Sequence, residues 1–159
     1  MVTGTASYSV NIDNTKAITD QLKKLASLHV YVGVPEAEAS RPGEPINNAE
    51  LAYIQSNGSP LQNIPARPIL EPVIERNKKM IGDRFQTLSK KALNDPTVNI
   101  TDELSKIGMI VRDKVKDNFT NPDNGWAPNS PATIAAKGSN KPLIDTGSLR
   151  KSIEYVVAP

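Results

Sequence analysis

The sequence predicts an α+β fold, in which a small mixed or antiparallel sheet packs against two long antiparallel helices and an extended Pro-rich arm stands beside them. Three observations lead there. Two long runs with a 3.6-residue apolar period lie between Ile69 and Phe119 and are separated by Asp95-Pro96. Short β-branched or alternating runs occur near both ends. Seven of the thirteen prolines fall between Pro35 and Pro72. At 159 residues the chain has the size of one domain, 1–159, with 35–68 as its irregular Pro-rich region.

The elements follow in order. Ser7 to Ile12 alternates with period two, placing Tyr8, Val10 and Ile12 on one face of a short strand. Asp13 or Asn14 can cap a helix whose stripe is Ile18, Leu22 and Leu25. Leu28 to Val34 is β-branched and aromatic, a second strand ended by Pro35 and containing the single histidine, His29. Asn47 to Gln55 reads as a short helix with Leu51 and Ile54 inward, stopped by Asn57-Gly58. Beyond it, Pro60, Pro65 and Pro68 favour extended backbone and remove sheet donors.

In the first long helix, Ile69 to Leu93, the residues Leu70, Val73, Ile74, Ile81, Phe85, Leu88 and Ala92 share a face, and Pro72 fits its first turn. The second is capped near Asn99 or Thr101, and its stripe is Leu104, Ile107, Val111, Val115 and Phe119. The short polar connection between them makes the pair antiparallel. Asn121 to Gly125 is a dense turn signal ahead of Trp126, the only tryptophan. Ser130-Pro131 opens a short helix through Lys137 that Gly138 ends. Thr146-Gly147-Ser148 turns the chain into a helical turn and a terminal strand, Ile153 to Val157.

Composition removes several classes of function. There are no cysteines, so neither a disulfide framework nor thiolate chemistry is available. The N-terminus lacks the basic and apolar regions of a secretory leader, and no apolar run approaches the ~20 residues that span a bilayer. A soluble product made in a cytoplasm, with no membrane partner, is expected. The net charge is +2. Residues 61–95 carry seven Lys/Arg against four Asp/Glu, whereas 1–60 carry four against six. That excess is small for a committed nucleic-acid binder. Arg76, Lys79 and Lys90 are the residues that would face phosphates in a DNA-contacting alternative.

Asp145-Thr146-Gly147 has the form of an aspartic-protease signature, but that chemistry needs two carboxylates sharing a proton. Only twelve residues follow Gly147, too few to build the remaining strands of a cleft, and two long helices occupy the place of the required sheet. A Ser/His/Asp site would depend on His29 alone, and no nucleophile elbow, Walker loop or dinucleotide fingerprint occurs. Asp123-Asn124-Gly125 has too few charges for a calcium loop. No catalytic, cofactor-binding or metal-ligating residues are expected, and the chain does not read as an enzyme.

Three stretches resemble a known family. GWAPNSPATIAAKGSNKPLIDTGSLRKSIEY, Gly125 to Tyr155, is similar to a module of phage virion morphogenesis proteins, the neck and tail-completion proteins. There, Trp-x-Pro, Ser-Pro-x-Thr, a lysine and Leu-x-Asp-Thr-Gly-x-Leu-x-x-Ser-Ile follow in that order. NNAELAYIQSNGSP resembles the same proteins' corner helix, and NIPARPIL their Ile-Pro-Ala-Arg-Pro-Phe-Leu segment. Trp126, Thr133, Asp145, Thr146, Gly147 and Leu149 match the first motif; Ile64, Pro65, Ala66, Arg67 and Pro68 match the last. Gln55-Ser56-Asn57 stands where the family often has His-Glu-Phe, and Ile69 replaces a Phe. The order of segments resembles that of Mu-like phages.

The resemblance implies a structural virion protein, assembled in the host cytoplasm into a homo-oligomeric ring at the phage neck or tail top. Its partners would be itself, other neck, connector and tail proteins, and passing DNA. On that reading the Pro60 to Pro68 arm lies along a neighbour, with Arg67 making a charge-assisted contact, and strand edges at either terminus are completed by another subunit.

Overall fold

A computed structural model describes residues 13–159; the strand expected over Ser7 to Ile12 lies outside them. Within this range the architecture is α+β. Helix α1 (Thr15–Ser27) leads into β1 (His29–Gly33), and after a 3-10 turn (Glu36–Glu38) comes α2 (Asn48–Asn57). The long helices α3 (Glu71–Asn94) and α4 (Ile100–Asn118) follow, then α5 (Pro131–Lys137), α6 (Ser148–Ser152) and β2 (Glu154–Ala158). The two strands pair antiparallel, with Tyr31 opposite Val156 and Gly33 opposite Glu154.

Local chemistry explains these boundaries. Asp13 accepts from the Thr15 N–H at the start of α1. Asn47 and Glu50 exchange bonds with each other's backbone N–H in a capping box that opens α2. Asn99 caps α4 through the Asp102 N–H, and Ser130 caps α5 through the Thr133 N–H, with Pro131 at the first helical position and Gly138 in the left-handed region (φ 66°) ending it.

α3 and α4 form an antiparallel pair. Near the connection Lys91 reaches Glu103, and at the far end Arg76 reaches Asn118, so partners move apart in sequence, from 12 residues to 42, away from the turn. All five stripe residues of α4, Leu104, Ile107, Val111, Val115 and Phe119, are buried. They divide between two clusters. Leu104, Ile107 and Val111 join Leu88, Ala92 and Ile100, beneath β1, β2 and α1. Val115 and Phe119 join Ile69, Val73, Trp126, Leu149 and Ile153.

Helix α4 also carries the sheet. Gly108 sits under the Tyr155 ring, where an added Cβ would come within 2.5 Å of Cδ2. The guanidinium of Arg112 lies 5.6 Å from the same ring's centroid, and both Arg112 and Lys116 bond Glu154 at the start of β2. On the opposite side of the sheet Tyr31 and Val156, directly paired, are exposed.

Two stripe assignments come out differently. Ile74 is 42% exposed although it was expected on the inward face of α3, and Leu22 of α1 is also exposed. The side chain of Gln21 bonds the carbonyls of Pro96 and Val98, which places α1 against the turn end of the helix pair. Ile74 lies more than four turns of α3 from that end, on a face that α1 does not reach.

Candidate functional site

The segment after α2 folds back on the helix. Gly58 adopts φ 74° at the helix end, and a Cβ there would stand 2.7 Å from the Ala66 nitrogen, so only glycine allows the return strand to pass this close. Ser59 and Ile64 exchange both backbone bonds, at 2.8 and 3.0 Å, across a tight loop with Asn63 in the left-handed region. The chain then runs extended through Pro65 and Pro68, the Arg67 N–H bonding the Gln55 carbonyl, and delivers Ile69 into the core.

Arg67 turns inward. Only 7% of it is exposed. Its Nε donates to the Ala127 carbonyl (2.9 Å), Nη2 to that of Pro128 (3.1 Å) and Nη1 to Gln55 Oε1 (3.4 Å). In the other direction, Trp126 Nε1 donates to the Pro68 carbonyl at 2.8 Å. The Ile64-Pro-Ala-Arg-Pro68 and Trp126-Ala-Pro128 segments, about sixty residues apart, are thus clamped by bonds running both ways. The indole is fixed further by Phe119, edge-on at 5.3 Å. The charge-assisted contact expected of Arg67 with a neighbour is, in the isolated chain, made to its own carbonyls.

A broad open cleft of ≈ 1290 Å³ lies over this clamp. The return segment, including Ile64, Pro65 and Arg67, forms one wall; Ser130, Thr133 and Lys137 form another, and Leu51, Leu143, Asp145 and Leu149 close it. Burial holds the Lys137 ammonium below its ordinary value, with Asp145 opposing and Arg67 adding to the effect. Lys137 also donates to the Lys141 carbonyl. Leu143 is a non-glycine residue in the left-handed region (φ 56°), a strained backbone position held by packing against the core.

Of the Asp145-Thr146-Gly147 turn, Asp145 lines the cleft. Asp145 is exposed, and among the described residues its carboxylate accepts no hydrogen bond. Thr146 Oγ1, not Asp145, accepts from the Ser148 N–H (3.3 Å), while Gly147 at φ 79° swings the chain into α6 and buries Leu149. An aspartate at a turn commonly accepts nearby backbone N–H groups, but here the threonine side chain takes that position. Among the described residues no three His, Cys, Asp or Glu side chains converge as metal ligands, and no helix is long and apolar enough to cross a membrane.

Two residues that sequence reasoning passed over organise the surroundings. Asn48, 2% exposed at the start of α2, bonds the carbonyls of Glu38 and Ser40 through Nδ2 and exchanges bonds with Ser148 Oγ, tying the 36–40 loop to α6. Leu61, 99% exposed, lies between Pro60 and Gln62, both of which line the cleft. An asparagine next to a cap has no local signature of burial. Leu61 was legible only as a hydrophobe in a Pro-rich run.

The three cations of the DNA-contacting alternative are differently placed. Lys79 is paired with Asp83 at 2.8 Å, Arg76 donates to Asn118 at 2.6 Å, and Lys90 is exposed with no ion pair among the described residues. They share a helix face with the Asp83 carboxylate between them, which weakens the field that phosphates would meet. Comparison of the chain with protein-family models, with curated proteins and with solved structures returned no significant match.

Proposed function

We propose that the chain is a structural virion protein of a tailed bacteriophage, a neck or tail-completion subunit that forms a ring joining head to tail. One observation carries the reading. The motif segments behind the resemblance, Ile64 to Pro68, Trp126 with Thr133, and Asp145 to Leu149, are far apart in sequence yet line or brace a single open cleft. Their buried members are spent on rigidity: Arg67 and Trp126 lock two loops, and Leu149 anchors a third in the core. Their exposed members, Pro65 and Asp145, are left on the cleft's rim. A preorganised concave face of this kind suits repeated subunit contact, because little ordering entropy is lost on docking.

The test is electron microscopy of the purified protein and of virions, with mass spectrometry of the particles. A ring, or density at the neck that fits this fold, is the expected outcome. A strictly monomeric protein absent from particles rejects the reading.

A further inference from the structure

We infer that the cleft over Arg67 and Lys137 is the receptor half of a head-to-tail contact between copies of this chain, and that the acidic turn at Glu36 and Glu38 of the next copy is what enters it. The inference rests on the ring reading and names its contact.

The receptor half is unbalanced in charge. Arg67 is more than nine-tenths buried and reaches only neutral oxygens, three of its five N–H donors being used, and no carboxylate is bonded to it among the described residues. Lys137 lines the same cleft from the other wall, leaving Asp145 as the only carboxylate in the lining. A guanidinium cannot shed its proton, so its burial is best compensated by an anion supplied from outside. The cleft exceeds the ~300–1000 Å³ common for small-molecule pockets and lies open to solvent, dimensions suited to a turn of polypeptide.

The donor half is the opposite. Between Pro35 and Ile46 the chain carries Glu36, Glu38 and Glu44 against Arg41 alone. Arg41 lies 3.9 Å from Glu44, and among the described residues Glu36 and Glu38 have no ion-pair partner. Both sit exposed on one 3-10 turn that is stiffly held: its N–H groups close back on Pro35 and Glu36, the Asn48 N–H bonds Ala39, and the buried Asn48 amide bonds Glu38 and Ser40. No residue of this turn lines the cleft. Knob and hole are therefore separate patches on one molecule, the requirement for a heterologous contact that propagates around a ring. Leu61, exposed between the lining residues Pro60 and Gln62, offers an apolar contact beside the cleft.

Sedimentation of the full chain over a range of concentration and salt tests this. The parent should self-associate, and more weakly as salt rises. Lys137→Glu, and separately Glu36→Lys with Glu38→Lys, should each weaken association by at least about tenfold. Combining all three changes should restore it in part, since the charges at Lys137 and on the turn are then exchanged while Arg67 stays cationic. Circular dichroism checks that each variant is folded. Association that is indifferent to both reversals, or a combined variant no better than either, overturns the contact. A parent chain that stays monomeric but binds another virion protein through the cleft also overturns it, by showing a different occupant. Incorporation into particles separates the two levels: reversal variants that enter necks as the parent does leave the ring reading standing without this contact, whereas a parent absent from particles removes the ring reading itself.

Discussion

Trp126 and Pro68 are joined by a hydrogen bond from the indole Nε1 to the proline carbonyl, 2.8 Å long and at the edge of the core. Because Arg67 answers from the next residue with bonds to Ala127 and Pro128, the two loops hold each other. Trp126→Phe keeps most of the apolar volume but strands the Pro68 oxygen, and should cost about 1–3 kcal/mol. Trp126→Ala also opens a cavity beside Phe119 and Ile69 and should cost about 3–5 kcal/mol. Urea unfolding gives both values; a Trp126→Phe variant as stable as the parent would mean that the bond adds nothing to the packing.

The two helical glycines without strain should respond in opposite ways. Gly108 is buried on α4 with the Tyr155 ring and Val30 where a Cβ would be, whereas Gly82 on α3 has open space there. Gly82→Ala should stabilise by about 0.5–1 kcal/mol through helix propensity alone. Gly108→Ala gains the same propensity but must push Tyr155 off the helix, at about 1–3 kcal/mol, so it should be net destabilising. If Gly108→Ala raises the unfolding midpoint as Gly82→Ala does, the sheet does not pack as closely on α4 as described.

Much of this fold was legible because it is written in local signals. Asp95-Pro96 separates two periodic runs, and α3 and α4 begin and end within a few residues of the expected positions; Ser130-Pro131 and Gly138 bracket α5 as caps should. What was hidden lies between segments. Arg67 sits in an extended Pro-rich run that reads as a free arm, and its partners Ala127 and Pro128 offer only carbonyls, which every residue has. The burial of Asn48 depends on loop 36–40 and on Ser148, one hundred residues away. Ile74 obeys the stripe of α3, but periodicity says which face is apolar and not how far along it a covering helix extends.

At the Asp-Thr-Gly turn, two neighbouring substitutions should separate folding from assembly. Gly147→Ala forces a Cβ into φ 79° and should cost about 1–2 kcal/mol of stability, although there is room for the methyl group. Asp145→Asn removes a charge that makes no hydrogen bond among the described residues, and should change stability by less than about 0.5 kcal/mol. Its effect is expected in incorporation into particles, because Asp145 shares the cleft with Arg67 and Lys137. Loss of stability in Asp145→Asn comparable to that of Gly147→Ala would return the aspartate to a folding role.

Acid sensitivity should concentrate where β2 leaves α6. Glu154 accepts from Lys116 at 2.7 Å and from Arg112 at 3.0 Å. The Lys116 bond holds its carboxyl below the ordinary 4.5, with burial opposing and Arg112 adding to the depression. A carboxyl depressed in the folded state stabilises that state while it is ionised in both. This contribution is therefore complete above the ordinary value and is lost as pH falls through the depressed one. Glu103, held down by Lys106 and then Lys91 at the turn end of the helix pair, adds in the same direction. Glu154→Gln should lower stability at neutral pH by up to about 1 kcal/mol, a modest amount because the pair is part-exposed. Below the depressed value the parent's carboxyl is protonated too, so the two stability curves should converge on the acid side. Curves that remain parallel from neutral pH into that range would show that the ion pairs do not tie β2 to α4, and that the sheet is held by its apolar packing on that helix.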